Sequence, residues 1–189
     1  MRILIACEQS GRVREAFKAK RHDVWSCDLL PSEIPGQHIQ DDVLKHLNEN
    51  WDMMIAHPTC RYLANSGVRW LHTQPGRWEK MKEAAQFFKT LWLCDIPKIC
   101  IENPIMHCYG KQEAGIAYCY DTDEYKQIIH PWMFGNYGEN ESKATCLWLK
   151  NLPKLVPENP LPAPHNQSIW RMVPSPTRER EREVGHSEE

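Results

Sequence analysis

The stretch RILIACEQSGRVREAFKAK, residues 2–20, decides how the chain is read. Its first part, RILIAC, is a short β-rich apolar run that stops at Glu8-Gln9-Ser10-Gly11. RVREAFKAK then has the spacing and composition of a helix, so the stretch reads as strand, turn, helix. Outward from it the pattern repeats. HDVWSCDLL (22–30) reads as a second strand ending near Asp28, and GQHIQDDV (36–43) as a weak third ending near Asp41 and Asp42. WDMMIAH (51–57) is the clearest strand of all. From Trp78 to Leu93 the residues Met81, Ala85, Phe88 and Trp92 fall on one stripe, the core-facing side of an amphipathic helix. IPKICIENP (96–104) is a fifth strand halted by Pro104, and ATCLWL (144–149) a later one. Strands alternating with helices across short turns predict an α/β fold with a mostly parallel, doubly wound sheet. Ligands of such sheets sit outside the carboxyl ends of the strands. The polar residues expected there are Glu8, Asp28, Asp42, Cys60 and Glu102.

A chain of 189 residues can bury a core without disulfides or metal. It carries 8 cysteines, with no CxxC and no regular Cys/His spacing, which argues against a zinc site. No metal is expected. Met1 leads straight into ILIAC, with no basic n-region and no long apolar segment, so the reading is a cytoplasmic protein with free thiols and no membrane partner. Residues 1–150 are expected to form the folded domain. NLPKLVPENPLPAPHNQ opens a Pro-rich extended segment over 151–176, and 177–189 reads as a charged, disordered tail. Residues 110–124 read as a loop.

The formal net charge is −2, which is no polyanion-binding average. Arg12, Arg14, Lys18, Lys20 and Arg21 cluster near the start and read as a solvated helix face.

Two residues could carry chemistry. Cys60, in DMMIAHPTCRYLANSG (52–67), lies just past a buried strand, behind Pro58 and before the cation of Arg61, as an activated thiol would. Taken alone, such a cysteine is more often an inert small hydrophobe. Glu102 ends the apolar run ICI and is followed by Asn103-Pro104, where burial favours a carboxylic acid that keeps its proton. Its plainer reading is a capping or ion-paired glutamate. Together they suit a pyrimidine. A thiolate adding to ring carbon 6 leaves negative charge that an acid at ring nitrogen 3 relieves, and carbon 5 becomes nucleophilic.

On these residues the chain resembles the DNA cytosine-5 methyltransferases, in a small form of phage and prophage type without a recognisable target-recognition domain. DMMIAHPTCRYLANSG is similar to the family's cysteine motif and IENP to its Glu-Asn-Val motif, in the same order. The resemblance implies a Rossmann-like fold of the S-adenosylmethionine-dependent methyltransferases over residues 1–150, with Cys60 and Glu102 catalytic. It implies that ACEQSG is the methyl-donor loop, with Glu8, Ser10, Gly11 and Pro58 in the S-adenosylmethionine site. Asp28 would hold the donor's ribose and Asp42 its adenine amine. ESKATCLWL resembles a later motif with two basic side chains, where Lys143 and Thr145 now stand; these two, with Arg61, Asn103 and Pro104, would meet the substrate.

Departures accompany the match. Thr59 stands where the family has Pro, Arg61 where it has Gln, and Gly11 alone remains of the donor-loop glycines. The family's target-recognition domain and closing helix have no counterpart, and the chain past Pro176 reads as if its natural ending had been replaced. The function implied is transfer of a methyl group to carbon 5 of cytosine in DNA, with low sequence specificity, a short or single-stranded substrate, or an accessory DNA-binding protein that supplies the grip. Two alternatives are a catalytically impaired protein that binds nucleic acid or S-adenosylmethionine, and a Cys-dependent enzyme acting on free pyrimidine nucleotides.

Overall fold

The computed structural model describes residues 1–68, 70–116, 122, 124–135, 144–158 and 160–162. The strands β1 (Arg2–Ala6), β2 (Asp23–Asp28), β3 (His38–Gln40), β4 (Met53–Ala56), β5 (Lys98–Asn103), β6 (Lys126–Ile129) and β7 (Thr145–Lys150) join in one sheet. Their order is β3-β2-β1-β4-β5-β7-β6. The first five run parallel, while β7 is antiparallel to both β5 and β6. The helices are α1 (Arg12–Ala19), α2 (Asn65–Val68), α3 (Arg77–Leu93) and α4 (Cys108–Glu113).

Alternation along the strands divides the core between two faces. Leu4, Ala6, Met54, Ala56, Ile99, Ile101 and Trp148 pack with Met81, Ala85, Phe88 and Trp92 of α3. Ile3, Ile5, Val24, Met53 and Ile55 pack with Val13 and Phe17 of α1 on the other face. Helices on both faces are why β1 and β4 are apolar at nearly every position. The stripe expected on α3 is the buried one, and its Phe88 and Trp92 meet Trp148 edge to face at ring distances of 5.5 and 6.4 Å. The central ladder brings the carboxyl ends of β1, β4 and β5 to one edge, because Ala6 pairs with Ala56 and Ala56 with Ile101.

Three readings are corrected. The segment read as a loop from 110 begins inside α4, a short helix capped by His107, whose Nδ1 accepts from the Tyr109 amide at 3.2 Å. Six residues are too few to show a helical period. β6, KQII, escaped for a similar reason, being a short half-buried edge strand. Arg14 does not belong to a solvated face. Its side chain is fully buried, whereas Arg12, Lys18, Lys20 and Arg21 are exposed.

The chain divides into two compact units, Met1–Ile129 with Ala144–Val156, and His130–Lys143 with Pro157–Glu189. In the described part of the second, a 3-10 turn spans Pro131–Phe134 and the Leu161 amide donates to the Trp132 carbonyl at 2.8 Å. From residue 163 on, the expected Pro-rich segment and charged tail lie outside the described residues. No helix among the described residues is long and apolar enough to cross a membrane.

Candidate active site

At the carboxyl edge of the sheet three side chains form a row across β4, β5 and β7. β4 is followed by His57, whose amide donates to the Ala6 carbonyl at 3.0 Å and prolongs the ladder by one residue. His57 continues the alternation of Met53 and Ile55, so it leaves the sheet on the α1 face. Its Nδ1 lies 3.7 Å from Oε2 of Glu102. Glu102 pairs with Leu147 across the antiparallel β5–β7 ladder, which brings Thr145 alongside, and the Thr145 hydroxyl donates to Oε1 of Glu102. Each carboxylate oxygen of Glu102 thus has its own neighbour, on a side chain about one-third exposed. His57 was not among the residues expected to act. Its signal was its place just before Pro58, one residue past an apolar run.

The loop beyond His57 displays Cys60. Thr59, Cys60 and Arg61 are exposed, while Pro58 is buried. The loop is tied down from both sides. Asn103, wholly buried, donates from Nδ2 to the Pro58 carbonyl at 3.4 Å. The Cys60 carbonyl accepts from the amides of Leu63 and Ala64, at 3.1 Å each. Asn103, expected to meet substrate, therefore serves here as a brace between β5 and the Cys60 loop. Pro104 follows it, half-buried, and ends β5. Lys143 lies outside the described residues. Three other thiols, Cys7, Cys27 and Cys100, are less exposed than Cys60. Burial pushes the Cys7 thiol up to about 12, with Asp28, Cys27 and Asp42 adding to it. Burial likewise pushes Cys27 up to about 11 and Cys100 up to about 12. Those three are held as neutral thiols at neutral pH.

The edge next to β1 is built differently. Cys7 takes a left-handed backbone, φ 58°, and the Glu8 amide then donates to the Cys27 carbonyl at 3.2 Å. This turns the Glu8 side chain inward, only 5% exposed. Its Oε1 accepts from the Val13 amide at 2.6 Å and from the Ser10 hydroxyl at 3.2 Å, and its Oε2 from the Arg14 amide at 3.2 Å. A carboxylate at the first turn of α1 satisfies amides that the helix leaves without partners and opposes the positive end of its dipole. Gly11, φ 72°, is the left-handed residue that lets the turn close. Arg14 fills the space behind it, donating to Ser26 Oγ at 2.8 Å, Ser32 Oγ at 3.1 Å and the Ile34 carbonyl. A Cβ at Gly11 or Gly36 would sit 2.7 Å from Arg14 Nη2, so a side chain at either position would make the guanidinium shift. Asp28 and Asp42 close this half. Asp28 Oδ1 accepts from the Leu30 amide and Asp42 Oδ1 from the Leu44 amide, each at 3.0 Å. No group of three or more His, Cys, Asp and Glu among the described residues could hold a metal ion.

No family model matches the sequence, and no curated protein matches it. Solved structures do. The chain is similar to the Entamoeba histolytica methyltransferase EhMeth, at 14% identity, covering 84% of this chain and 57% of that one, with a TM-score of 0.51. Looser likenesses are to the Schizosaccharomyces pombe Dnmt2 methyltransferase and to an E. coli prophage protein named as a DNA modification methyltransferase. The first is 15% identical, over 82% of this chain and 50% of that one, TM-score 0.47. The second is 14% identical, over 79% and 46%, TM-score 0.48. The chain spans about half the length of these proteins. The chain therefore has a Rossmann-like α/β fold, like that of the methyltransferase EhMeth.

Proposed function

We propose that this chain is an S-adenosylmethionine-dependent methyltransferase that acts on carbon 5 of cytosine in DNA. The observation that carries the reading is the arrangement around β4 and β5: an exposed Cys60 thiol on one strand-end loop, and on the next strand a Glu102 carboxyl flanked by His57 and Thr145. The loop of the first is braced to the strand of the second through Asn103 and Pro58. A thiolate and an acid on adjacent strand ends suit addition to ring carbon 6 with a proton held at ring nitrogen 3. Thr145 and His57 would orient the Glu102 carboxyl toward that nitrogen.

The donor half fits S-adenosylmethionine by the chemistry of its acceptors. Asp28 ends β2 and Asp42 follows β3, so two carboxylates stand at the carboxyl ends of the strands beside β1, as ribose hydroxyls and an adenine amine would require. When bound there, the donor supplies an electrophilic methyl group. Glu8, Ser10 and Gly11 would shape the loop around it, with the Glu8 carboxylate directed at α1. Duplex DNA requires the cytosine to leave the stack before a thiol on this loop can reach carbon 6, so a single strand is the simpler substrate.

Tritium-labelled methyl transfer to single-stranded and duplex cytosine-containing DNA and to free cytidine nucleotides, with Cys60→Ser as control, tests the reading. Transfer to DNA that Cys60→Ser abolishes is expected. Transfer to nucleotides alone would reassign the substrate, and no transfer to any of them would remove the reading. A second reading, a non-catalytic protein that binds the donor or nucleic acid, draws support from exposed Thr59 in place of the family's proline. Donor binding by calorimetry without transfer would favour it.

A further inference from the structure

We infer that Arg77 is the positioning residue of the loop that displays Cys60, an inference that rests on the reading of Cys60 as nucleophile. Arg61 is the cation beside Cys60 in sequence, yet the guanidinium that grips the loop backbone comes from the first residue of α3. Arg77 is 9% exposed, and its Nη2 donates to the carbonyls of Arg61 at 3.2 Å and Gly67 at 3.3 Å. Its Cζ lies 4.5 Å from the centroid of the Tyr62 ring, a cation over an aromatic face. These contacts span one turn of chain. Leu63 and Ala64 donate to the Cys60 carbonyl, and Gly67 and Val68 donate to the Ala64 carbonyl at 2.9 and 3.0 Å. Arg77 therefore clasps the two ends of the turn that starts at Cys60.

Two details separate a grip on this loop from a general contribution to the core. The Arg77 Nε is buried and makes no hydrogen bond among the described residues, so both described hydrogen bonds of the guanidinium go to the loop. Position 67 is also shaped for the clasp, since a Cβ there would sit 1.9 Å from the Arg61 carbonyl oxygen. Glycine is what lets the two carbonyls converge on one nitrogen. Tyr62, under the guanidinium, also walls a surface groove of about 340 Å³ together with Phe87 and Thr59, the residue before Cys60.

Arg77→Lys and Arg77→Met test the clasp from the helix side. Gly67→Ala tests it from the loop side, with Arg77 intact. Hydrogen exchange is read at the amides of Leu63, Ala64, Gly67 and Val68 against Ile99 and Ile101 of β5, alongside kcat and KM for methyl transfer. Charged hydrogen bonds of ordinary strength correspond to about ten- to hundredfold faster exchange in the loop, with β5 unchanged. The same variants are expected to lower kcat by about tenfold or more with KM for the donor unchanged, and Lys to recover part of what Met loses. Loop exchange that rises only in step with β5 would overturn the inference, as would faster loop exchange with kcat intact. A wild-type chain that transfers no methyl removes the Cys60 reading instead, and the exchange at Leu63–Val68 then decides by itself whether Arg77 grips this turn.

Discussion

After β1 the side chains of Glu8 and Arg14 turn inward, while Cys60 after β4 and Glu102 at the end of β5 keep to the surface. Glu8, at 5% exposure, gives both carboxylate oxygens to its own chain, and Arg14 is fully buried among Ser26, Ser32 and Ile34. Cys60 is exposed, and Glu102 is about one-third exposed between His57 and Thr145. Both sets sit at the same edge of one parallel sheet. The difference teaches that position at a strand end does not by itself make a residue a ligand. On the β1 side the charges cap α1 and fill the space beneath residues 32–36. On the β4–β5 side the backbone is held by Asn103 and Arg77, which leaves Cys60 and Glu102 to face outward.

The comparison can be broken most sharply at Arg14. Arg14→Met removes a buried charge, its ion pair with Glu15 and its hydrogen bonds to Ser26, Ser32 and the Ile34 carbonyl, a loss of about 3–5 kcal/mol in urea unfolding. Stability unchanged by more than about 1 kcal/mol would show that this half is not held by its charges. Glu8→Gln keeps the shape and weakens the cap on α1, and should cost about 1–2 kcal/mol by the same measurement, with helix α1 fraying first in hydrogen exchange. On the other side Thr145→Val is expected to lower methyl-transfer kcat by about tenfold while moving stability by less than about 1 kcal/mol. Destabilisation equal to that of Glu8→Gln with kcat intact would erase the distinction between the halves.

The smallest effect is expected in the turn that carries Asp42. There Lys45 Nζ lies 2.7 Å from Asp41, and His46 sits between Glu49 and Asp41 at 2.5 and 3.3 Å. The Lys45 ammonium first, then the Asp42 amide, hold Asp41 down at about 2. The bond to Glu49 raises His46, against a smaller opposing effect of burial. With a folded value below its ordinary 3.8, Asp41 contributes stability above that pH and loses it as pH falls toward 2. With a folded value above its ordinary 6.5, His46 contributes fully below that pH and loses it as pH rises through the raised value. The Tm difference between wild type and Asp41→Asn should therefore shrink on acidification, and that between wild type and His46→Asn on passing above neutral pH. A difference independent of pH would mean that these exposed pairs carry nothing.

Apolar runs and helical spacing act over a few residues, so β1, β4, β5, α1 and the buried stripe of α3 were legible in the sequence. Short elements with mixed faces were not, as α4 and β6 illustrate. For the candidate site, Cys60 and Glu102 were legible as candidates because Cys60 follows the apolar run of β4 within four residues and Glu102 ends the run ICI. His57, Arg77 and the inward turn of Glu8 were not. Their roles depend on which strand lies beside which, on Gly67 and Gly36 standing where a Cβ would collide, and on the antiparallel register that sets Thr145 against Glu102. The sequence by itself determined the class of fold and singled out Cys60 and Glu102 as candidates, because local patterning and residue type are properties of short segments. The tertiary structure alone decided which charges hold the chain and which face the edge of the sheet, because that turns on contacts between residues distant in sequence, such as Thr145 with Glu102 and Arg77 with Arg61.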